Sequence, residues 1–505
     1  MKRGLSLLIS TVIILMGLGN SMIATAAEEI QKLPSEQYDM IEEYVNREME
    51  ASHIPGVAIG IVHGDEIVYT KGFGVTDQKK SPVTVDTPFY IGSVGKTFTA
   101  LAIRQLQGEG KLYPNAAVTE YIPWFTLADN TGGQITIKDL LEHTSGLSKV
   151  SGNAAYSYHN NDTIEEVVKE INQRESINRP VGSSYEYSNL NYVILGLIIE
   201  KASGLSYTDY ITQRIFEPMK FEDSYLNEEE AVQGGLSQGY RELYGFNVPI
   251  DSVYPTGQVP AGYQLSSITD MSRYVIYFLN NGYAEGVSIL PNNQLKPVED
   301  SMKVYGASDS YYSLDWGITD DRAFQDYNRF YGFLGATSNF NSAMLLSQVH
   351  RYGIIVLVNQ RGNYRKPELM SQVMGNGISD ILLHNRIPAP YKRTYDNKLL
   401  IMPLLVLLLS ITSILSCIRF GTRLGLRRTK HSIAVVIMVI INIAVPILLL
   451  IGAPIFYDNS WKYFLNNGID TGLPIFVLCM VLLITGIIKL MILWKCVHNT
   501  PKDTK

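Results

Sequence analysis

Apolar residues along the chain follow three patterns, each predicting a different kind of element. From Gln37 to Ala51 they recur at helical spacing and predict an amphipathic opening helix. Gly56–Val62 and Glu66–Gly72 are β-rich runs about a His63-Gly64-Asp65 turn, which predicts a hairpin. Much later, Ser342–Leu346 and Gly353–Asn359 predict a second strand pair, linked through Val349–Tyr352. Between the pairs, Lys96–Gly108, Ile137–His143, Ile164–Arg174, Tyr192–Ala202 and Tyr207–Phe216 return to helical spacing. Strands at both ends of a domain, with helices inserted between them, predict one α+β unit with a helical lobe.

The third pattern is unbroken apolarity, and it is confined to the two ends. Lys2 and Arg3, the Leu5–Leu18 stretch and Ala24-Thr25-Ala26 predict a signal peptide over residues 1–26. At the other end, 399–418, 433–456 and 472–494 each reach the roughly 20 residues a helix needs to cross hydrocarbon. Arg419, Arg423, Arg427, Arg428 and Lys430 occupy the link between the first two, whereas the second link has only Lys462. Positive charge collects on the cytoplasmic side, so the first link and the C-terminus are expected inside. Lys489, a turn or so short of the last span's end, is expected to reach toward that face. The resulting layout is an exported domain over 28–390, a linker over 391–398 introduced by Pro388 and Pro390, and three spans. It predicts a multi-pass protein of the bacterial cytoplasmic membrane with its domain on the outer side.

Composition narrows the chemistry. A net charge of −6 over 505 residues gives no sign of a nucleic-acid partner. The three cysteines, Cys417, Cys479 and Cys496, all fall in the apolar C-terminal region, so the exported domain is expected to rely on its core. The eight histidines are scattered without metal-ligand spacing, and neither metal nor cofactor is expected.

Three segments carry candidate chemistry. In Gly92-Ser93-Val94-Gly95-Lys96 a serine precedes a predicted helix, with a lysine on the same face one turn on. A serine hydroxyl needs a neighbouring base, and a partly desolvated lysine can serve. A serine capping a helix explains the pair equally well, although Ser93 is the only serine three residues before a lysine. In Tyr185-Glu186-Tyr187-Ser188-Asn189, the alternation lets Tyr187 and Asn189 point together into a cleft, or marks an ordinary loop of a chain with 32 tyrosines. The third segment, Tyr331–Ser342, offers Gly335, where another backbone can approach closely.

In this order the three segments resemble those of the class C β-lactamase and penicillin-binding-protein family of serine hydrolases, over roughly Ile41 to Asn359. The stretch Leu140-Leu141-Glu142-His143-Thr144-Ser145-Gly146-Leu147 adds to the likeness. The resemblance implies a β-lactamase/transpeptidase-like fold, an antiparallel sheet flanked by helices plus the helical lobe. It implies Ser93 as nucleophile, Lys96 as its partner, Tyr187 as general base and later acid, and Asn189 as a substrate contact. It places the oxyanion hole at the backbone N–H groups of Ser93 and Ala336 and makes His143 structural. The expected substrate is a small peptide or acyl amide. Where the family has a cation two residues before Gly335, this chain has Phe333, which cannot pair with a carboxylate. Weak β-lactamase activity follows, with Phe333 and Gly335 facing the substrate. The Asn339-Phe340 pair and the three spans are similar to prodrug-activating peptidases of the colibactin-maturation type. In those an acidic residue three before the nucleophile reads D-asparagine, and here that position is Tyr90. Two alternatives stand beside a cell-envelope D-amino peptidase: a prodrug-activating enzyme, and a non-catalytic binding module.

Overall fold

The computed structural model describes residues 32–149, 162–251, 254–280, 282–284 and 286–290, and the short strands at 303–304, 311–312 and 317–318. It further describes 330–362, 365–366, 369–395, 397–423, 431–456, 461 and 469–498. The expected signal peptide lies outside the described residues.

The opening helix α1 (Ser35–Ser52) ends where His53 turns left-handed at φ 53°. Two strands follow, β1 (Gly56–His63) and β2 (Glu66–Gly74), paired antiparallel with a bulge between Ile61 and Val62. Helix α2 (Lys96–Gly108) begins the helical lobe, which includes α3 (Asn189–Ser203) and α4 (Ile268–Leu279). The chain returns to the sheet as β3 (Tyr331–Ala336), β4 (Asn341–Ser347) and β5 (Tyr352–Val358), and α5 (Met370–His384) closes the domain. The strands run in the order β3-β4-β5-β1-β2, every neighbour antiparallel.

Layering explains why β1, β4 and β5 are buried along nearly their whole length. α4 packs against β1 and β5 on one face, while α5 covers β4 and β5 on the other and meets α1 there. Two cores result. Ala58, Phe98, Tyr274, Phe333 and Met344 belong to the one shared with the helical lobe, and Ile59, Tyr44, Ala343, Val356 and Ile378 to the other. Covered on both faces, these strands lose the polar alternation of a half-exposed sheet.

Both expected strand pairs form, and each strand is within two residues of its predicted limits. The Ile164–Arg174 helix has its expected limits because Thr163 and Glu166 form a capping box. Two helices differ. The one expected over Ile137–His143 stops at Leu141, since His143 adopts φ 55°. The one expected from Tyr192 starts at Asn189, which shifts that asparagine from loop to first turn.

In the C-terminal region, Val435–Gly452 and Gly472–Trp494 are long and apolar enough to cross a membrane. The helix Asn397–Arg423 occupies the expected first span, but its apolar stretch, Ile401–Ser416, is shorter. Leu404, Leu448 and Trp494 are each at least 60% exposed, an outward apolarity that a water-soluble helix would bury.

Candidate active site

Ser93 is positioned by a locked turn at the edge of the sheet. The two residues Phe89–Tyr90 pair with Leu265–Ser266. Ile91 then donates its N–H to the Gln264 carbonyl at 3.1 Å, and its own carbonyl accepts from Ser342 Oγ at 2.6 Å. Gly92 bends the chain with φ +56° into a 3₁₀ turn, Gly92–Gly95, that runs directly into α2. Ser93 is half-buried between buried Gly92 and Val94, at a helix start whose first N–H groups have no partner within the helix.

Lys96, the first residue of α2, is fully buried and sits on the same face as Ser93. Its Nζ donates to Ser93 Oγ at 3.3 Å, to Asn189 Oδ1 at 2.7 Å and to the Ala261 carbonyl. It also lies 5.1 Å from the ring centre of Tyr187 and 5.5 Å from that of Tyr192. Burial pushes the Lys96 ammonium well below the usual lysine range, which makes it easier for this amine to give up its proton and act as a base. Tyr187 Oη is 2.7 Å from Ser93 Oγ. Burial pushes its phenol up to about 12, against a smaller opposing effect of the Ser93 hydrogen bond. Tyr187 is therefore a neutral phenol in a resting site, able to pass a proton but poorly suited to hold a negative charge.

Strand β3 forms the wall opposite. A side-chain carbon at Gly92 would lie 2.3 Å from the Ala336 backbone nitrogen, and one at Gly335 would lie 2.0 Å from the Ile91 carbonyl oxygen. Only glycine at both positions lets the strand pass this close to the turn. The Ala336 nitrogen is thus held against the Gly92–Ser93 turn.

The structure brings Ser93, Lys96, Tyr187 and Asn189 into contact, with Gly335 and Ala336 alongside. Three residues expected to contact the substrate are buried in the structure. Phe333 is 4% exposed and packs in the main core on the face of β3 shared with Gly335. Asn339 is fully buried, and its Nδ2 donates to the Ile250 carbonyl at 2.7 Å, fixing the β3–β4 turn. Tyr90 is 1% exposed, and its hydroxyl donates to Glu228 at 2.5 Å, with Phe340 beside its ring. Each is apolar or amide-bearing in a strand or turn, and the sequence pattern does not reveal which side of the turn it faces.

His143 is fully buried. Its Nδ1 accepts from the Ser188 N–H at 3.1 Å and lies 2.9 Å from Asn191 Nδ2, while its ring lies 4.6 Å from that of Tyr187. Burial, and secondarily the Lys96 charge, lower its pKa, so it stays neutral with its proton on Nε2. It supports the Tyr187–Asn189 loop from behind. His143→Ala opens a cavity and strands the Ser188 N–H, at a cost of about 2–4 kcal/mol. Chemical denaturation will show a lower midpoint, while the remaining folded protein still acylates at Ser93.

Sequence reasoning missed the Ala261 carbonyl, Gln264 and Ser342. The first acts through its backbone and has no side-chain signature. Gln264, fully buried, donates from Nε2 to the Gly95 carbonyl and to Tyr207 Oη, and nothing in a lone glutamine announces that. Among the described residues, no group of His, Cys, Asp or Glu is arranged to hold a metal.

The sequence profile of the family described as Beta-lactamase matches residues 41–374. Protein flp of Staphylococcus aureus strain MW2 is 30% identical over 458 residues, covering 86% of each chain. Unguisins hydrolase ungD' of Aspergillus campestris is 29% identical over 250 residues, covering 47% of this chain and 46% of that one. Among solved structures, the octameric penicillin-binding protein homologue from Pyrococcus abyssi superposes with a TM-score of 0.59 at 26% identity. That likeness covers 68% of this chain and 77% of that one.

Proposed function

Because the chain belongs to the β-lactamase family of serine hydrolases, we propose that it is an exported, membrane-anchored hydrolase that cleaves an amide or ester through an acyl-enzyme on Ser93. The observation that carries this is the Ser93 hydroxyl, 2.7 Å from Tyr187 Oη and 3.3 Å from a fully buried Lys96 amine. Ser93 Oγ attacks the substrate carbonyl carbon as its proton leaves to the Lys96 amine, while Tyr187 Oη, 2.7 Å away, keeps its own proton and stays hydrogen-bonded beside it. The oxyanion is stabilised by the N–H groups of Ser93 and Ala336, typically the largest single term in such reactions. The C–N or C–O bond then breaks, and the leaving group takes the transferred proton. Water repeats the sequence on the acyl-enzyme, releasing the acid and restoring the Ser93 hydroxyl. Asn189, held by Lys96, borders the cleft as an amide for the substrate.

For the substrate we favour a D-amino-acid-containing peptide of the cell envelope. Phe333 supplies no cation at the strand position where relatives grip a carboxylate, which favours a substrate without one there. Tyr90 and Asn339 are both buried, which argues against a D-asparagine-reading pocket built on them. The three-span anchor, with 28–390 outside and the arginine-rich link inside, rests on the apolar runs and their charge bias. The likeness to Protein flp adds support: it covers 86% of the chain, more than one ending at residue 390 would.

The test is an intact-mass and peptide-mapping experiment on the full chain in detergent, with a fluorophosphonate and with benzylpenicillin. One fluorophosphonate adduct is expected on the peptide carrying Ser93, with acylation by penicillin much slower. No adduct with either probe sinks the enzyme reading in favour of a binding module. Rapid penicillin turnover sinks the argument from Phe333.

A further inference from the structure

The three C-terminal helices enclose a polar cluster that tethering alone does not require. Asn442 Nδ2 donates to Ser413 Oγ at 3.0 Å and to Thr485 Oγ1 at 3.1 Å, and those two hydroxyls lie 2.7 Å apart. Lys489 Nζ donates to Ser416 Oγ at 2.7 Å and to Asn442 Oδ1 at 3.2 Å. Lys489 is 5% exposed, so it does not reach toward the helix end as expected but turns inward among the helices. Asn442 sits in a π-helical turn, Ile440–Ala444, that interrupts the regular helix. Such turns recur where a side chain is aimed for a purpose, and an ionisable group inside a span marks a functional site more often than glue.

A groove of about 580 Å³ opens beside this cluster. That is the size of a pocket for one small ligand. Its two ends differ. Ser416, Asn442 and Lys489 line one, and Leu409, Leu449 and Leu478 the other. Along the helices, Leu409 is about 10 Å from Ser416 and Leu478 about 16 Å from Lys489. Among the described residues, Lys489 is the only charged one lining it. In the topology proposed above, Ser416 and Lys489 lie within about two turns of the cytoplasmic ends of their spans, Asn442 lies near mid-span, and Leu449 and Leu478 lie beyond the middle. That is the orientation of a lipid in the cytoplasmic leaflet.

We propose that this groove binds a single-chain anionic lipid, its acidic head at Lys489 and Asn442 and its tail along Leu409, Leu449 and Leu478. The inference goes beyond acyl transfer at Ser93 and rests on the membrane reading of the helices. The probe is palmitate with a diazirine at the end of its chain, added to the full-length protein in phosphatidylcholine nanodiscs. Photolabelling is expected to concentrate on Leu409, Leu449 and Leu478 and to be competed by lysophosphatidylglycerol but not by lysophosphatidylcholine. Lys489→Met should lower it by about tenfold or more, the loss of one charge-assisted contact. Leu478→Trp, which fills the apolar end and leaves Lys489 in place, should lower it as well. Equal labelling of the outward-facing Leu404 and Leu448, or equal competition by the zwitterionic lipid, overturns the proposal. So does a disulfide-linked dimer of Ile437→Cys with no groove labelling, which would mean a second copy covers this face. Alkaline carbonate extraction tests the anchor separately: release of the chain refutes the membrane reading itself, whereas a retained chain without groove labelling refutes only the site.

Discussion

Lys96→Met is expected to slow acylation of Ser93 by roughly three orders of magnitude, the middle of the range for losing a positioned general base. Methionine matches the length of the lysine stem but removes the amine that bonds Ser93 Oγ. Tyr187 cannot replace it, because burial holds its phenol up at about 12. Lys96→Arg provides the contrast. It keeps a positive charge in the site but never loses its proton, so it fails as a base where an electrostatic role would survive. The pH profile carries the same logic. Burial lowers the Lys96 pKa, so wild-type acylation rises with pH as the ammonium loses its proton and then levels off, a rise absent from Lys96→Met. Stability has the matching sign. Between the ordinary lysine pKa and the lowered one of the fold, the unfolded chain binds a proton that the folded chain does not, so over that window this residue makes the fold less stable as pH falls. Rapid-quench acylation by a p-nitrophenyl ester across pH 6–10, beside denaturant midpoints, reads both effects. A Lys96→Met enzyme with the wild-type rate and pH profile would show that the base lies elsewhere.

How legible this was in the sequence depended on what each residue uses. The strands β1, β2 and β5 were legible through their β-branched and aromatic residues, and β4, which has no β-branched residue, through the apolar run Ala343–Leu346 facing β5. β3 was not, because Gly332 and Gly335 dilute its apolar signal. Ser93 and Lys96 were legible because a fixed helical offset brings them together. Tyr187 and Asn189 needed the order of segments, since the contact from Asn189 to Lys96 spans 93 residues. The burial of Tyr90, Phe333 and Asn339 was not legible for one reason. Their sequence distances to Ser93 or Gly335 are short, but backbone direction decides whether a side chain meets the cleft or the core. Tyr90 turns to Glu228 on a short helix that no local pattern ties to the site. Lys489 failed similarly, because inward or outward rotation of an apolar helix is settled by the partners it packs against.

The second large effect is expected from a single methyl group. Gly92→Ala should reduce acylation by at least about a hundredfold, the usual loss when one oxyanion donor is displaced. Two costs arise at this position and they separate cleanly. The first is backbone strain, since φ +56° disfavours any side chain by roughly 1–2 kcal/mol. The second is spatial: the new carbon lies 2.3 Å from the Ala336 nitrogen and 2.9 Å from the Gly335 carbonyl carbon. Both are backbone atoms, so no flexible side chain can swing aside, and either the Ser93 turn or β3 must move. Whichever moves, the N–H groups of Ser93 and Ala336 no longer converge. Gly110 isolates the first cost, with φ +73° but nothing within 4 Å of an added carbon. Gly110→Ala should therefore lose stability of the same order and keep its acylation rate. Gly92→Ala should lose both, with the acylation step slowed far more than substrate affinity. If the two variants instead acylate alike at matched folded fractions, the approach of β3 to the Ser93 turn shapes the fold but not the chemistry, and the assignment of Ala336 to the oxyanion hole is wrong.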